Sequence, residues 1–470
     1  MSTLHTAPTQ GARVEDVVEA PYLGATDASA IGPRMAPDLL PARAKNAGRV
    51  VRVPLLERVG RAIVARVLRA MPGTPIEVVD AGNGASAAPA QAGRVRIVVH
   101  DPAFYRAVAF GGEMGVAESY IAGWWTCDDL PRLIEVATAH VTALDTLESP
   151  LAKVLSPLAR LAYTLERNTR AGSKRNIVAH YDLGNDFFAL FLDPAMVYSS
   201  AIFPHADSTL EEGQVEKIDR ACLRLDLRPG DHLLEIGTGW GALAIHAARH
   251  YGCRVTTTTI SDAQHAEATR RVAAAGLADR ITLLRRDYRD LDGTYDKLVS
   301  IEMIEAVGRE NLPGFFRVCD RLLKPDGAAL IQAIVIRDQF FERAARTRDF
   351  LKKHIFPGSC LPSLAAMHEA TRDATGLRLW HCEDFAGDYA RTLALWRARF
   401  FARERDVRAM GFDDRFVRMW DYYLAYCEGA FRARHVGVVQ ALYLKPARRA
   451  RPGSAAPEAM HDGAERSARA

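Results

Sequence analysis

Residues 231 to 241 read Asp-His-Leu-Leu-Glu-Ile-Gly-Thr-Gly-Trp-Gly, an apolar run that meets an acidic residue and then closely spaced glycines. Gly237, Gly239 and Gly241 permit a tight turn and let the backbone approach a ligand with no Cβ in the way. The third glycine follows the second by two positions, which breaks the G-x-G-x-x-G register of dinucleotide binders. Glu235 stands at the end of the run, where it would repel a pyrophosphate. An acidic, glycine-rich turn instead suits a cationic ligand with an amino-acid tail. S-adenosylmethionine, a sulfonium, meets that description better than NAD. A dinucleotide enzyme would carry an Asp or Glu for the ribose about 20 residues further on. This chain has Thr256 to Thr259, then Ser261, Asp262 and Gln264, so ribose recognition would fall to hydroxyl and amide groups.

The elements that must hold this turn are a buried strand before it and a helix after it, since residues 242 to 250 are helical in pattern. Strand-like runs at 254 to 260, 281 to 284, 297 to 301 and 328 to 336 alternate with helical stretches. That alternation predicts an α/β fold, a doubly wound methyltransferase-type sheet, with ligands at the carboxyl ends of its strands. Ahead of it, strands at 76 to 79 and 95 to 99 and short helices at 101 to 110 and 114 to 120 predict a smaller α+β N-terminal domain. In residues 53 to 71, Leu56, Val59, Ile63 and Val67 recur at helical spacing among Arg52, Arg58, Arg61, Arg66 and Arg69. Such a helix can pack on a core or lie on an anionic membrane surface. Trp124 and Trp125 carry the same two readings, interfacial anchor or core.

The 470 residues have room for two domains, and the net charge of +4 is too small to argue for nucleic acid. Cysteines at 127, 222, 253, 319, 360, 382 and 427 show no C-x-x-C spacing, so neither a metal site nor a disulfide framework is expected. No segment has the makings of a signal peptide or of the roughly 20 apolar residues that cross a bilayer. The expected organisation is a disordered leader (1 to 40), a small lipid-associated domain (41 to 150), a linker (151 to 175), a catalytic domain (176 to 446) and a disordered tail (447 to 470).

Several further segments occur in a set order: Ala-His-Tyr-Asp-Leu-Gly-Asn-Asp (179 to 186), Tyr-Ser-Ser-Ala (198 to 201), Thr-Ile-Ser-Asp-Ala-Gln (259 to 264), Arg-Asp-Tyr-Arg-Asp-Leu (286 to 291), Glu-Met-Ile-Glu-Ala-Val-Gly (302 to 308), Ile-Phe-Pro-Gly-Ser-Cys-Leu-Pro-Ser (355 to 363), Tyr389 before Thr-Leu-Ala-Leu-Trp, and Gly-Ala-Phe-Arg-Ala-Arg (429 to 434). With the glycine turn, these make residues 176 to 446 resemble the cyclopropane-fatty-acyl-phospholipid synthases and the related mycolic acid cyclopropane synthases. The resemblance implies attack of a cis double bond of a phospholipid acyl chain on the sulfonium methyl, then proton loss from the carbocation to close a three-membered ring.

By that resemblance Tyr198, Ser199, Glu235, Gly237, Gly239, Trp240, Gly241, Thr259, Gln264, Asp287 and Tyr288 would hold S-adenosylmethionine, with Asp287 accepting from the adenine amine and Gln264 bridging ribose hydroxyls. Tyr181, Tyr389 and Phe356 could present ring faces to the carbocation. The resemblance further implies a bound bicarbonate as proton acceptor. Glu305 then takes the glutamate position, Tyr389 the tyrosine position and Ile334 a backbone contact, and a carboxyl so close to an anion needs a raised pKa. Three departures stand out. Ser200 replaces a cysteine of many members, Ala306 replaces a histidine, and Gln332 occupies the histidine position of the bicarbonate site. Cys427 matches a cysteine sometimes proposed as catalytic, although nothing around it suggests a thiolate.

The expected function is therefore an S-adenosylmethionine-dependent cyclopropane synthase acting on unsaturated phospholipid. It would be cytoplasmic and peripheral at the inner face of the membrane, with a homodimer plausible from the family. The alternatives are a fatty-acyl C-methyltransferase giving a methylene-branched product, a methyltransferase for a soluble small molecule, and a non-catalytic lipid-binding relative.

Overall fold

Strand β4 (His232–Ile236) is the keel of the molecule, buried from Leu233 onward. It pairs in parallel with β5 (Arg254–Thr259) on one side and β7 (Tyr295–Ile301) on the other. β6 (Ile281–Arg285) extends the sheet beyond β5, and β8 (Leu323–Ile336) extends it beyond β7. The chain thus winds outward one way from β4 and then the other, and the order reverses between β4 and β7. A crevice opens at such a switch point, at the carboxyl ends of the strands. The computed structural model describes residues 55–69, 75–81, 94–140 and 183–448. The expected leader, linker, Tyr181 and nearly all of the expected tail lie outside them.

With β9 (Arg378–Asp384) and β10 (Val436–Leu444) the sheet has seven strands, in the order β6-β5-β4-β7-β8-β10-β9. Those two were not expected from the sequence. β10 runs antiparallel to β8 from Val436 opposite Ile336 to Leu444 opposite Ala328, and so places Gln440 opposite Gln332. β10 is almost wholly buried, whereas β9 is a polar edge with Leu379 and Trp380 exposed.

A separate three-stranded sheet forms the N-terminal part: β1 (Ile76–Asp80) parallel to β2 (Val95–Val99), with β3 (Trp125–Cys127) antiparallel to β2. Helix Ala103–Ile121 is broken at Gly112, where φ is 54°, which matches the two short helices expected there. Trp125 is fully buried against Phe104 and Tyr120 and donates its indole N–H to Ser119 Oγ at 3.0 Å. Trp124 is partly buried against the same core. Helix Leu55–Arg69 buries Gly60 and Val64 but leaves Leu55, Leu56 and Val59 exposed.

This part is fastened to the catalytic part by helix Asp414–Arg432. The Tyr120 hydroxyl donates to Asp421, whose other oxygen accepts from Arg397 Nε at 2.6 Å. Breaking such a buried pair costs roughly 3–5 kcal/mol, because an uncompensated charge is left behind. On the same helix Gly429 meets helix Leu130–Ala139 so closely that an added Cβ would lie 2.7 Å from the Pro131 carbonyl oxygen. Gly429→Ala should therefore force the helices apart and destabilise the protein by about 1–3 kcal/mol in denaturant unfolding, as overpacking does. An unchanged midpoint would contradict this contact.

Candidate active site

The glycine turn closes over the end of β4. The N–H groups of Gly237 and Thr238 both donate to the Thr258 carbonyl, at 3.1 and 3.0 Å, which ties the turn to β5. Gly239 (φ 52°) faces open space, with no atom within 4 Å of where a Cβ would stand. Gly241 (φ 91°) differs, because its Cβ would meet Ala268 at 3.4 Å. Its smallness lets helix Ala242–His250 pack on helix Asp262–Ala274.

Below the turn lies a cavity of about 500 Å³. Every residue expected to hold the cofactor lines it except Gly241. Thr257 donates to Glu235 at 2.6 Å. Burial pushes the Glu235 carboxyl up to about 8, against the pull of Thr257 and Lys217. Lys217, also fully buried, is lowered to about 8 by desolvation, and its ammonium donates to Ser199 Oγ at 2.7 Å. The Thr259 hydroxyl donates to Gln264 Oε1 at 2.9 Å, fixing which way the amide points. Trp240 donates to Asn185 at 2.8 Å, and the hydroxyls of Tyr198 and Tyr423 meet at 2.8 Å. Asp287 is engaged by Arg289, at 2.9 and 2.6 Å, so any adenine amine would share a carboxylate already paired. Tyr288 packs edge-on to Phe315, and burial pushes its phenol up to about 12.

The cavity continues into an apolar lobe walled by Phe356, Leu361, Tyr389, Leu393, Tyr423 and Phe431. The rings of Tyr389 and Phe431 lie 4.5 Å apart, centroid to centroid. Cys427 also lines this lobe, and burial raises its thiol far above the ordinary range, so it stays protonated.

The residues expected to handle the proton separate into two groups. In one, Glu305 Oε1 accepts the Ile334 N–H at 2.6 Å, while its buried Oε2 has no hydrogen-bond partner. Burial, and then repulsion from Glu302, pushes Glu305 up to about 8, the direction expected. In the other, Ser200, Gln332 and Tyr389 converge on Glu302. Its Oε1 accepts from the Ser200 N–H at 2.9 Å and from Gln332 Nε2 at 2.8 Å, and its Oε2 accepts from the Tyr389 hydroxyl at 2.8 Å. Ser200 and Gln332 are fully buried and do not line the cavity, whereas Glu302 and Glu305 do.

Of the Glu-Met-Ile-Glu segment, only the second glutamate had an expected role, whereas both line the cavity. Lys217 was hidden as well, since in sequence it is one more lysine on an amphipathic helix. Glu302 had no spacing signal of its own, since its importance comes from strands β7 and β8 lying side by side.

The open face of Gly239 above a buried acidic floor fits a cationic nucleoside with an amino-acid tail, so these residues fit S-adenosylmethionine. They do not fit a bicarbonate on Tyr389, Gln332 and the Ile334 backbone. The Tyr389 hydroxyl, the Ile334 N–H and the Gln332 amide all donate to the carboxyl groups of Glu302 and Glu305, and Gln332 does not reach the cavity.

A family model described as mycolic acid cyclopropane synthetase matches residues 168–441. Among curated relatives, the tuberculostearic acid methyltransferase of Mycobacterium tuberculosis is 40% identical over 73% of this chain and 82% of its own. The cyclopropane-fatty-acyl-phospholipid synthase of Escherichia coli is 37% identical over 74% of this chain and 87% of its own. Of solved structures, the cyclopropane synthase MmaA2 of Mycobacterium tuberculosis superposes with a TM-score of 0.54 at 31% identity, covering 58% of this chain and 98% of its own. A mycolic acid cyclopropane synthase complexed with SAH and CTAB gives a TM-score of 0.55 at 34% identity over 58% and 98%.

Because Glu235 is held protonated below about pH 8, a bound cation must expel its proton there. In titration calorimetry, affinity for S-adenosylmethionine should rise by up to about tenfold per pH unit toward pH 8 and level off above it. Glu235→Gln should flatten that slope, and a flat profile in the wild type would contradict the assignment.

Proposed function

The chain belongs to the mycolic acid cyclopropane synthetase family, and on that premise we propose that it methylates the cis double bond of an unsaturated phospholipid acyl chain and closes a cyclopropane ring. It is an S-adenosylmethionine-dependent methyltransferase. The observation that carries the proposal is the continuity of one cavity, from the glycine turn and Glu235 to an aromatic, apolar lobe with two carboxyl groups on its wall.

When bound, S-adenosylmethionine supplies an electrophilic methyl on a sulfonium. Glu235, the Gly237 to Trp240 turn, Gln264, Asp287 and Tyr288 would hold it. An alkene is a poor nucleophile, so the protein must exclude water and align the double bond. Phe356, Leu361, Leu393 and Phe431 do the first by walling the lobe, and the faces of Tyr389, Tyr423 and Phe356 can stabilise a cationic carbon. An external bicarbonate is one reading of the proton acceptor, and the arrangement of Tyr389 and Gln332 speaks against it.

A methylene-branched product is the second reading, favoured by the 40% identity to a relative named as a tuberculostearic acid methyltransferase. Ser200, Ala306 and Gln332, the three departures from the cyclopropane pattern, all concern the fate of the cation and none concerns cofactor binding. A non-catalytic role is disfavoured by the Glu302 and Glu305 carboxyl groups kept inside an apolar cavity.

We place the substrate at a membrane surface. Among the described residues no helix is long and apolar enough to cross a bilayer. Helix Leu55–Arg69 exposes Leu55, Leu56 and Val59 beside Arg58 and Arg66. Binding to anionic liposomes should therefore weaken several-fold between low salt and 0.5 M salt, where exposed charges are screened. Salt-insensitive binding would remove the electrostatic part of this reading.

The reaction is tested with methyl-deuterated S-adenosylmethionine and liposomes of a cis-monounsaturated phospholipid, followed by mass spectrometry of the fatty acids before and after mild hydrogenation. A labelled product that resists hydrogenation is expected. One that takes up hydrogen would establish the methylene-branched reading, and no label in lipid despite cofactor binding would overturn both.

A further inference from the structure

We propose that Glu302 is the proton acceptor of the reaction, a built-in carboxylate that takes the place of an external bicarbonate. This rests on the function proposed above and names the group that completes it.

The geometry around Glu302 is that of a clasped anion. The Ser200 N–H and Gln332 Nε2 hold one oxygen, and the Tyr389 hydroxyl holds the other. These donors come from the segments that the family resemblance assigns to a bound bicarbonate. A carboxylate and a bicarbonate present the same planar O–C–O edge, so one can fill the grip of the other. The backbone supplies a second, independent observation. Glu302 has φ of 48°, in the left-handed region that a non-glycine residue enters at a cost. A glycine would sit there without strain, and what the glutamate adds is its carboxyl group on the cavity wall.

The orientation of each donor is fixed, which decides where a proton can go. Gln440 Nε2 donates to Gln332 Oε1 at 3.1 Å, and Arg224 donates to Gln440 Oε1 at 2.7 Å. Gln332 is thereby locked with its NH₂ toward Glu302. A backbone N–H cannot turn round either, so Glu302 Oε1 is saturated by two donors. Oε2 is different, because the Tyr389 hydroxyl can rotate from donor to acceptor. A proton arriving on Oε2 can therefore be donated to the Tyr389 oxygen, which keeps that contact in place. Burial raises the pKa of both carboxyl groups, and the three donors on Glu302, against one on Glu305 with its unpartnered oxygen, make Glu302 the better stabilised anion of the pair. A cation in the cavity further favours the ionised form of Glu302.

The step balances without a further reactant. The alkene π pair forms the bond to the methyl carbon, and the carbon–sulfur pair leaves with sulfur. Glu302 takes a proton from the transferred carbon of the resulting carbocation. The released C–H pair closes the ring, and the neutral acid returns its proton to solvent after product leaves.

The test compares wild type, Glu302→Gln and Glu302→Gly, using methyl-tritiated S-adenosylmethionine and dioleoyl phosphatidylglycerol vesicles in CO₂-free buffer with and without added bicarbonate or formate. Wild type should be active and indifferent to bicarbonate. Glu302→Gln, which preserves the grip, should bind cofactor within about threefold of wild type and lose at least about 10²-fold in methyl transfer, the scale of a lost general base. Glu302→Gly should be as impaired and regain at least about tenfold with bicarbonate or formate. Bicarbonate dependence of the wild type, near-normal activity of Glu302→Gln, or no rescue of a cofactor-competent Glu302→Gly would each overturn the proposal. Wild type that binds cofactor yet labels no lipid would instead overturn the function on which it rests.

Discussion

Keeping negative charge inside a largely apolar cavity is the constraint on which the rest of this structure depends. A carboxylate without water or donors is expensive to bury, so each one here is protonated, clasped or set near a cation. Burial raises all three carboxyl groups, and Glu235 has Thr257 and the nearby Lys217, Glu302 has three donors, and Glu305 has the Ile334 N–H. The same low-dielectric interior that makes these groups costly also magnifies their attraction for a sulfonium and for a carbocation. Binding and chemistry thus draw on one electrostatic arrangement.

The sheet exists in the form that this arrangement requires. The parallel strands β4, β5 and β7 deliver the glycine turn, Thr257 and Glu302 to one edge, at the point where strand order reverses. The antiparallel addition of β10 to β8 sets Gln440 opposite Gln332 and so locks the amide that faces Glu302. Helix Ala386–Ala402 adds Tyr389. The N-terminal part steadies this from outside, through the Tyr120–Asp421–Arg397 cluster and the close approach at Gly429.

Much of this was legible in the sequence, because local patterns carried it. The strand-turn-helix at Glu235 to Gly241, the parallel strands and the break in helix Ala103–Ile121 follow from apolar periodicity and glycine placement. What stayed hidden depended on distant pairings. β9 is a polar edge strand and β10 reads as one more apolar run, so neither announced an antiparallel extension. Gln332 looked like a defect in a bicarbonate site, and only its position beside Glu302 and Gln440 shows it as part of a clasp. The packing of Gly241 against Ala268 was likewise hidden, because it joins two helices distant in sequence.

Whether the grip formed by Ser200, Gln332 and Tyr389 belongs to Glu302 is decided by a crystal structure of the wild type with S-adenosylhomocysteine, grown and soaked in bicarbonate. The expected result is the Glu302 carboxyl group clasped by all three donors, with no anion between them. A bicarbonate seated on Tyr389 and Gln332, with Glu302 swung aside, would contradict it.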